Sequence, residues 1–497
     1  MSNDYRPPPS TAPAGAAGGS QPGAFLPPTD LPRLDLLGED GVHRVHQATL
    51  DVLGSVGLDI PWERGLGVLA EHGASVEGTR VRMSAELVEK GLSFLSRDCV
   101  FAARDERFDL ALDGCTTYLG PSGCGMLMVD RFTGEWRDST YDDLAALTRI
   151  CDALPEIAFA WQMVSALDRP VERQPLWELE ATFANTGKHV QCMTVTKPHQ
   201  ARAAVEMARL VAGGADELRR RPVMSNFQCS ISPLANEGEA LEAAFVFAEA
   251  GVPVGIVSMP LACGTAPASP AGNLVIVNAE IIGTLATLGL VCPGARAFYS
   301  CMTSVLDPLT GRMAGGAPEE AMVTNAATAM ARFYKLPSLM GGMACGSTRV
   351  GWQSAFEDAL TGTMILLARP DAMVGPGLLE NATVCDPAEL LLGVELWNAL
   401  TFTARPIQVD DDTLALETIA QVGPRGHFLA TKHSMRHARL MWRPQLLSRA
   451  RMDPGTDDPV ARARARAWEV ADTHAPIPLE PAVAEALKEI AGAGVPA

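Results

Sequence analysis

The chain has 497 residues, 47% of them apolar and 20% charged, with 40 basic against 58 acidic side chains and a formal charge of −18. That composition supports a large core and excludes a wholly disordered or collagen-like chain. The acidic balance disfavours a nucleic-acid partner, whose phosphates require a basic stripe, and suits a cationic ligand better.

Residues 1–28 are rich in Pro, Gly, Ala and Ser and lack the apolar run of a secretory signal, so a disordered tail on a cytoplasmic protein is expected. Residues 29–115 read as a small α/β extension. Val45, Leu50, Leu53 and Val56 fall at helical spacing, 73–84 has the pattern of a hairpin, and 85–95 that of a second helix. From 116 onward eight short apolar runs (116–123, 159–166, 189–196, 223–232, 252–260, 295–304, 337–346 and 372–380) alternate with long helix patterns. Thr140-x-x-Asp143, Asn236-x-x-Glu239 and Asp386-Pro387-x-Glu389 are start signals, as are Pro198, Pro270 and Pro318. Gly213-Gly214, Gly251 and Gly289 are placed as stops. Eight strand and helix repeats predict an α/β fold: a (β/α)8 barrel over 116–456 with C-terminal helices over 457–497. An open doubly wound sheet competes less well, because neither Gly-x-Gly-x-x-Gly nor a phosphate-binding Gly-x-x-x-x-Gly-Lys motif is present. The stretch 272–295 is apolar enough to raise a membrane question, but Asn273, Asn278 and Glu280 mark it as a buried helix, and no membrane partner is expected.

Eleven cysteines are scattered without a Cys-x-x-Cys pair, which predicts reduced thiols used mainly as small core residues. Ser122 and Cys124 lie in a glycine-rich turn, 120–125, and Cys345 in another; no adjacent His activates either thiol, so tight turns are the simpler reading. His433 and His437 stand at i, i+4 with His427 nearby, a spacing that can chelate a metal, but Lys432, Arg436 and Arg439 crowd a dication and no metal site is expected. Asp410–Asp412 suit a helix start and Arg462, Arg464 and Arg466 a solvated helical face. The aromatic residues are more informative. Tyr118, Trp161, Phe227, Phe298, Tyr299, Trp352 and Phe356 fall on or just after the predicted strands, and rings gathered at one mouth would form a cage for a quaternary ammonium.

The segments 129–157, 292–304, 351–371, 377–396 and 426–444 together resemble the trimethylamine methyltransferase family, in particular its members without pyrrolysine. The resemblance implies a (β/α)8 barrel that passes a methyl group from a quaternary amine such as glycine betaine to Co(I) of a corrinoid (cobalamin) carried by a partner protein and not bound tightly by this chain. The chain also departs from the family pattern. Where the trimethylamine enzymes carry pyrrolysine this chain reads Phe298-Tyr299-Ser300-Cys301-Met302, and Gly351 replaces the acid of an Asp-x-Gln-x-x-x-Glu pattern at 351–357. The leaving group from a quaternary amine is a neutral tertiary amine, so no catalytic acid, base or nucleophile of the protein is expected. Tyr299, Trp352 and Phe356 are expected to form the cage, with Phe227 and Tyr118 as second choices and Gln353 and Glu380 as positioning hydrogen-bonders. A homo-oligomer is expected. The alternatives are a betaine-binding or sensing protein on the same barrel, or a thiol-dependent enzyme using Cys124 or Cys345.

Overall fold

The computed structural model describes residues 33–449 and 458–493; the expected tail, 1–28, lies outside them. Eight parallel strands form the centre: β1 (Tyr118–Gly120), β2 (Phe159–Trp161), β3 (His189–Cys192), β4 (Met224–Cys229), β5 (Val254–Ser258), β6 (Ala297–Cys301), β7 (Ser338–Gly341) and β8 (Ala372–Val374). Each pairs with its sequence neighbour, β8 pairs back onto β1, and a Leu119↔Ile157 bridge joins β1 to the start of β2. The sheet is therefore a closed barrel, and every predicted strand falls within it. Between the strands run α1 (Tyr141–Ala153), α2 (Gln174–Asn185), α3 (Pro198–Ala212), α4 (Gly238–Glu249), α5 (Pro270–Val291), α6 (Pro318–Phe333) and α7 (Trp352–Ala368), and α8 (Pro387–Thr403) follows the last strand.

Most of the start chemistry holds. Thr140 and Asp143 form a reciprocal capping box, Asp386 caps α8 at the Ala388 N–H, and prolines open α3, α5 and α6. Two expectations need correction. The cap of α4 is Glu237, whose carboxylate accepts from the N–H groups of Glu239 and Ala240, while Asn236 instead accepts from the Thr284 hydroxyl. Gly289 does not stop a helix; it lies inside α5, where a Cβ would stand 2.1 Å from the carbonyl oxygen of Gly91. Its missing side chain lets the helix Ala85–Ser93 of the N-terminal extension lie directly on α5. α5 is the one described helix long and apolar enough to cross a membrane, and 83% of its apolar window is buried inside the protein. Its Glu280, fully buried, accepts from the hydroxyls of Ser230 and Ser258 at 2.6 Å, from the Ser232 hydroxyl at 2.9 Å and from the Leu234 N–H at 2.9 Å. This carboxylate fastens the loop after β4 and the end of β5 to the helix layer.

Inside the barrel the inward residues form a column of rings. Phe101, from the short hairpin Val100–Phe101 and Leu110–Ala111, enters from the N-terminal end and stacks on His189 at 4.2 Å. Phe298 stands 5.4 Å from Phe101 and 5.2 Å from Phe227, and Phe227 stands 5.4 Å from Trp161. Glycines provide the width. A Cβ on Gly255 would lie 2.0 Å from the Phe298 ring, and one on Gly120 2.3 Å from Phe159. His189 donates and accepts through Ala102 O at 2.8 Å and Ser225 Oγ at 2.7 Å, and burial pushes its pKa down to about 3, so it packs as a neutral ring.

Gly255→Ala should destabilise the fold by about 1–3 kcal/mol through overpacking against Phe298. Gly67→Ala, at an exposed position of a helix with open space around the new carbon, should be neutral or stabilising by up to about 1 kcal/mol. Urea denaturation of both variants beside the wild type measures the difference.

Candidate active site

The carboxyl ends of the strands open on one face, where the column ends in Trp161 at the last position of β2. Its ring is only 3% exposed, and its Nε1–H is buried with no hydrogen-bond partner. Gly123 makes this position possible, since a Cβ there would come 2.4 Å from the indole. Met193, Cys229 and Met302, from the ends of β3, β4 and β6, pack against the same aromatic cluster. Cys124 joins from the loop after β1, held by its N–H on Gln162 O at 2.7 Å with φ +68°. These side chains carry no formal charge and offer soft sulfur and ring surfaces. Burial pushes the Cys229 thiol up to about 11 and the Cys124 thiol well above its ordinary range, the opposite of what a thiolate nucleophile requires.

The loops after β6, β7 and β8 lock together at the same end of the barrel. Gly315 N donates to Asn381 Oδ1 at 2.9 Å, Gly346 N to Gly315 O at 3.1 Å, Asn381 N to Cys345 O at 3.0 Å and Glu380 N to Ser347 O at 2.8 Å. Glu380, Asn381 and Ala382 hold successive φ values of +45°, +56° and +64°. Left-handed backbone costs about 1–2 kcal/mol per non-glycine residue, so these bonds oppose a real strain.

Behind the loops lies an acidic layer. Glu320 accepts from Gly316 N at 3.1 Å, and burial pushes its pKa up to about 8. Glu357 accepts from Gly346 N at 2.9 Å and from the Gln353 amide at 2.8 Å. Asp358 and Glu389 share a carboxyl to carboxyl hydrogen bond, and burial pushes both upward; Cys345, within 4.8 Å of them, is pushed up too. Among the described residues no Lys, Arg or His forms an ion pair with these four acids. A shared proton removes one of the two charges in the Asp358 and Glu389 pair. The other ligand-type grouping, Asp412, His433 and His437, is solvent-facing, with stacked imidazoles and the Arg436 guanidinium on Asp412. That cation occupies the carboxylate a metal would need.

The structure redistributes the residues expected to line a cage. Phe227 is in the barrel interior beneath Trp161. Tyr118 opens β1 at the opposite end of the barrel, its N–H on Asp371 O, so it is not at the mouth. Tyr299 points outward into the helix layer, where its hydroxyl donates to Asn278 Oδ1 at 3.2 Å. Trp352 and Phe356 are on the outer side of α7, 85% and 55% exposed, with Gln353 beside them. Glu380 reaches the mouth loops through its backbone. The expected cage of Tyr299, Trp352 and Phe356 does not form. β6 presents alternate residues to opposite sides, and α7 turns its first residues to solvent. Trp161, which replaces that cage at the mouth, carries the period-two signal of Phe159, Ala160 and Trp161, but nothing in the spacing says which side is inside.

Comparison with known proteins decides the family. A family model described as trimethylamine methyltransferase matches residues 14–492. The chain belongs to the trimethylamine methyltransferase family. It is 30% identical over 458 residues to a trimethylamine methyltransferase of Desulfitobacterium hafniense, covering 91% of this chain and 92% of the relative. A glycine betaine methyltransferase from another strain of that organism is 28% identical over 461 residues, covering 91% and 95%. Among solved structures, the monomethylamine methyltransferase of Methanosarcina barkeri matches with a TM-score of 0.50 at 10% identity over 91% of this chain and 90% of that one, a likeness of fold. The family supports the barrel and its methyltransferase class, and the closed eight-stranded sheet agrees with it.

The buried acids make a pH prediction. Glu320 has a folded pKa of about 8 against an ordinary 4.5, so between these values the folded state binds the extra proton. Stability from this group is complete below about 4.5 and declines as pH rises through about 8. Glu320→Gln should flatten the fall in unfolding free energy across that window, as measured by urea titrations at several pH values.

Proposed function

We propose that this chain removes a methyl group from a quaternary amine of the betaine type and delivers it to a corrinoid carried by a partner protein. The observation that carries this reading is the indole of Trp161, seated on the ring column in a neutral, sulfur-lined mouth with a buried and unpartnered Nε1–H. A ring face attracts a trimethylammonium group, and a free N–H at the same ring's edge suits the carboxylate of a betaine. Cation attraction of about 0.5–2 kcal/mol leaves the ground state weakly held, which is useful because positive charge falls as the methyl group leaves.

The chemistry matches the inventory of the mouth. The C–N electron pair stays on nitrogen and yields a neutral tertiary amine, so no proton has to be supplied. The corrinoid cobalt, when docked, supplies the electron pair that accepts the methyl group. This chain's part is to hold one N-methyl group in line, through Trp161, Met193 and Met302, and to exclude water from the opening. Met126, Ile231 and Met259 are exposed on the loops after β1, β4 and β5; that apolar rim suits the flat apolar face of a macrocycle. No residue in 298–302 provides an electrophile for an amine adduct, which favours quaternary over tertiary amines. The raised thiols at 124 and 345 count against the thiol-dependent alternative.

The decisive assay mixes the protein with a reduced corrinoid protein and a panel of glycine betaine, other quaternary amines and trimethylamine, and follows the corrinoid absorbance on methylation. Transfer from at least one quaternary amine is expected, and Trp161→Ala should lower it at least about tenfold, the equivalent of about 1.4 kcal/mol. Binding of a betaine by calorimetry without any methylation would instead identify a sensor, and full activity in the Trp161→Ala variant would remove that ring from the site.

A further inference from the structure

The buried acids of this fold are of two kinds. Glu280 is enclosed by four donors, and Asp371 by three, the N–H groups of Gly114 and Ser338 and the Ser338 hydroxyl. Asp358 and Glu389 have almost none. Beyond the bond between these two side chains, the Glu389 carboxylate accepts, among the described residues, only from the Ser354 hydroxyl at 3.4 Å, and Asp358 Oδ1 is buried with no hydrogen-bond partner. Buried carboxylates that have neither donors nor a cationic side chain call for a positive charge of another kind.

Three elements bring a thiol to the same place. Cys345 lies on the loop after β7, Asp358 on the buried face of α7 one turn beyond Ser354, and Glu389 in the first turn of α8. All three residues are buried, and their ligand atoms, the Cys345 Sγ and one oxygen of each carboxyl group, lie within 4.8 Å of one another. Glu357 and Glu320 add negative field around Asp358. The Cys345 thiol is pushed up by burial first and then by the charges of Asp358 and Glu389. A cation among the three groups reverses that second effect.

The donor set selects the ion. One thiolate with two carboxylates is too soft for Mg2+ or Ca2+, which take shells of oxygen, and it suits Zn2+. With Zn–S at about 2.3 Å and Zn–O at about 2.0–2.2 Å, tetrahedral ligands stand about 3.4–3.6 Å apart, so small side-chain rotations complete the set. The Ser354 hydroxyl or a water fills the fourth position. A cleft of about 450 Å³ between α7 and α8 is lined by Ser354, Asp358 and Glu389 and gives the ion a route from solvent.

We infer that Cys345, Asp358 and Glu389 bind a zinc ion that fastens the loop after β7 to α7 and α8. That loop is bonded to Gly315 and Asn381, so the ion fixes one side of the frame around the mouth. Binding displaces the thiol proton and the proton shared by the two carboxyl groups, which leaves a thiolate and two carboxylates on the cation.

Cobalt reports such a site, because a thiolate bound to Co2+ gives a near-ultraviolet charge-transfer band that oxygen and nitrogen ligands lack. The full-length protein, stripped with a chelator and titrated with Co2+, should take up about one ion per chain, show the band, lose it to Zn2+ and melt at a higher temperature with either metal. Cys345→Ser should lack the band and bind Zn2+ at least about tenfold more weakly in competition with a chromophoric chelator, the lower end of what losing even an outer partner of a metal site costs. If that variant does not fold, Glu389→Gln should weaken Zn2+ binding by the same factor. His433→Ala with His437→Ala, which dismantles the exposed grouping on Asp412, should bind as the wild type does. A wild type that takes up neither ion, a folded Cys345→Ser that keeps the band, a Glu389→Gln variant with wild-type affinity, or a histidine variant that loses the ion would each overturn the inference.

Discussion

The column of rings inside the barrel is the constraint on which the other features depend. Phe101, Phe159, Phe298, Phe227 and Trp161 are too large to share a narrow closed sheet with ordinary side chains opposite them, so Gly120, Gly123 and Gly255 stand where Phe159, Trp161 and Phe298 need room. The column closes the N-terminal end through Phe101 and sets the floor of the mouth through Trp161. The N-terminal extension is therefore part of the barrel's core: it supplies the lowest ring, and its helix rests on α5 by way of Gly91 and Gly289. One packing requirement links the extension, the sheet and the place where a ligand would sit.

Around that floor the protein separates two kinds of environment. The mouth is built from thioethers, thiols and indole, with its ionisable thiols held protonated by burial. The loops that frame it lean on an acidic layer in which burial pushes Glu320, Asp358 and Glu389 toward their neutral forms. Such an arrangement suits transfer of a methyl group from a cation to a soft acceptor, since it provides shape and polarisable contact without competing for protons. The strained run at Glu380 to Ala382 belongs to this frame, because its bonds with Gly315, Cys345 and Ser347 hold it in place beside the mouth.

Much of this was legible before any coordinates. The eight strand positions follow from apolar runs of the right length, and the capping box at Thr140 and the prolines at 198, 270 and 318 are local signals that the folded chain keeps. Errors arose where a local signal had a distant competitor. Gly289 has the look of a helix stop but serves close helix contact, and Asn236 has the look of a cap but is taken by Thr284 on α5. Tyr299 carries no local signal for its side, since one residue of register decides whether a strand side chain meets the barrel interior or the helices.

The sequence by itself determined the α/β repeat, the family and the apolar, nearly uncharged character of the strand ends, because all of these depend on spacing within a few residues. Tertiary structure alone decided which rings meet. The inward side of each strand is set when β8 closes on β1, a pairing between residues some 250 positions apart, and the exposed side of α7 is set by what the barrel leaves uncovered. That closure puts Trp161 at the mouth with Phe227 beneath it, sends Tyr299 into the helix layer and leaves Trp352 and Phe356 exposed.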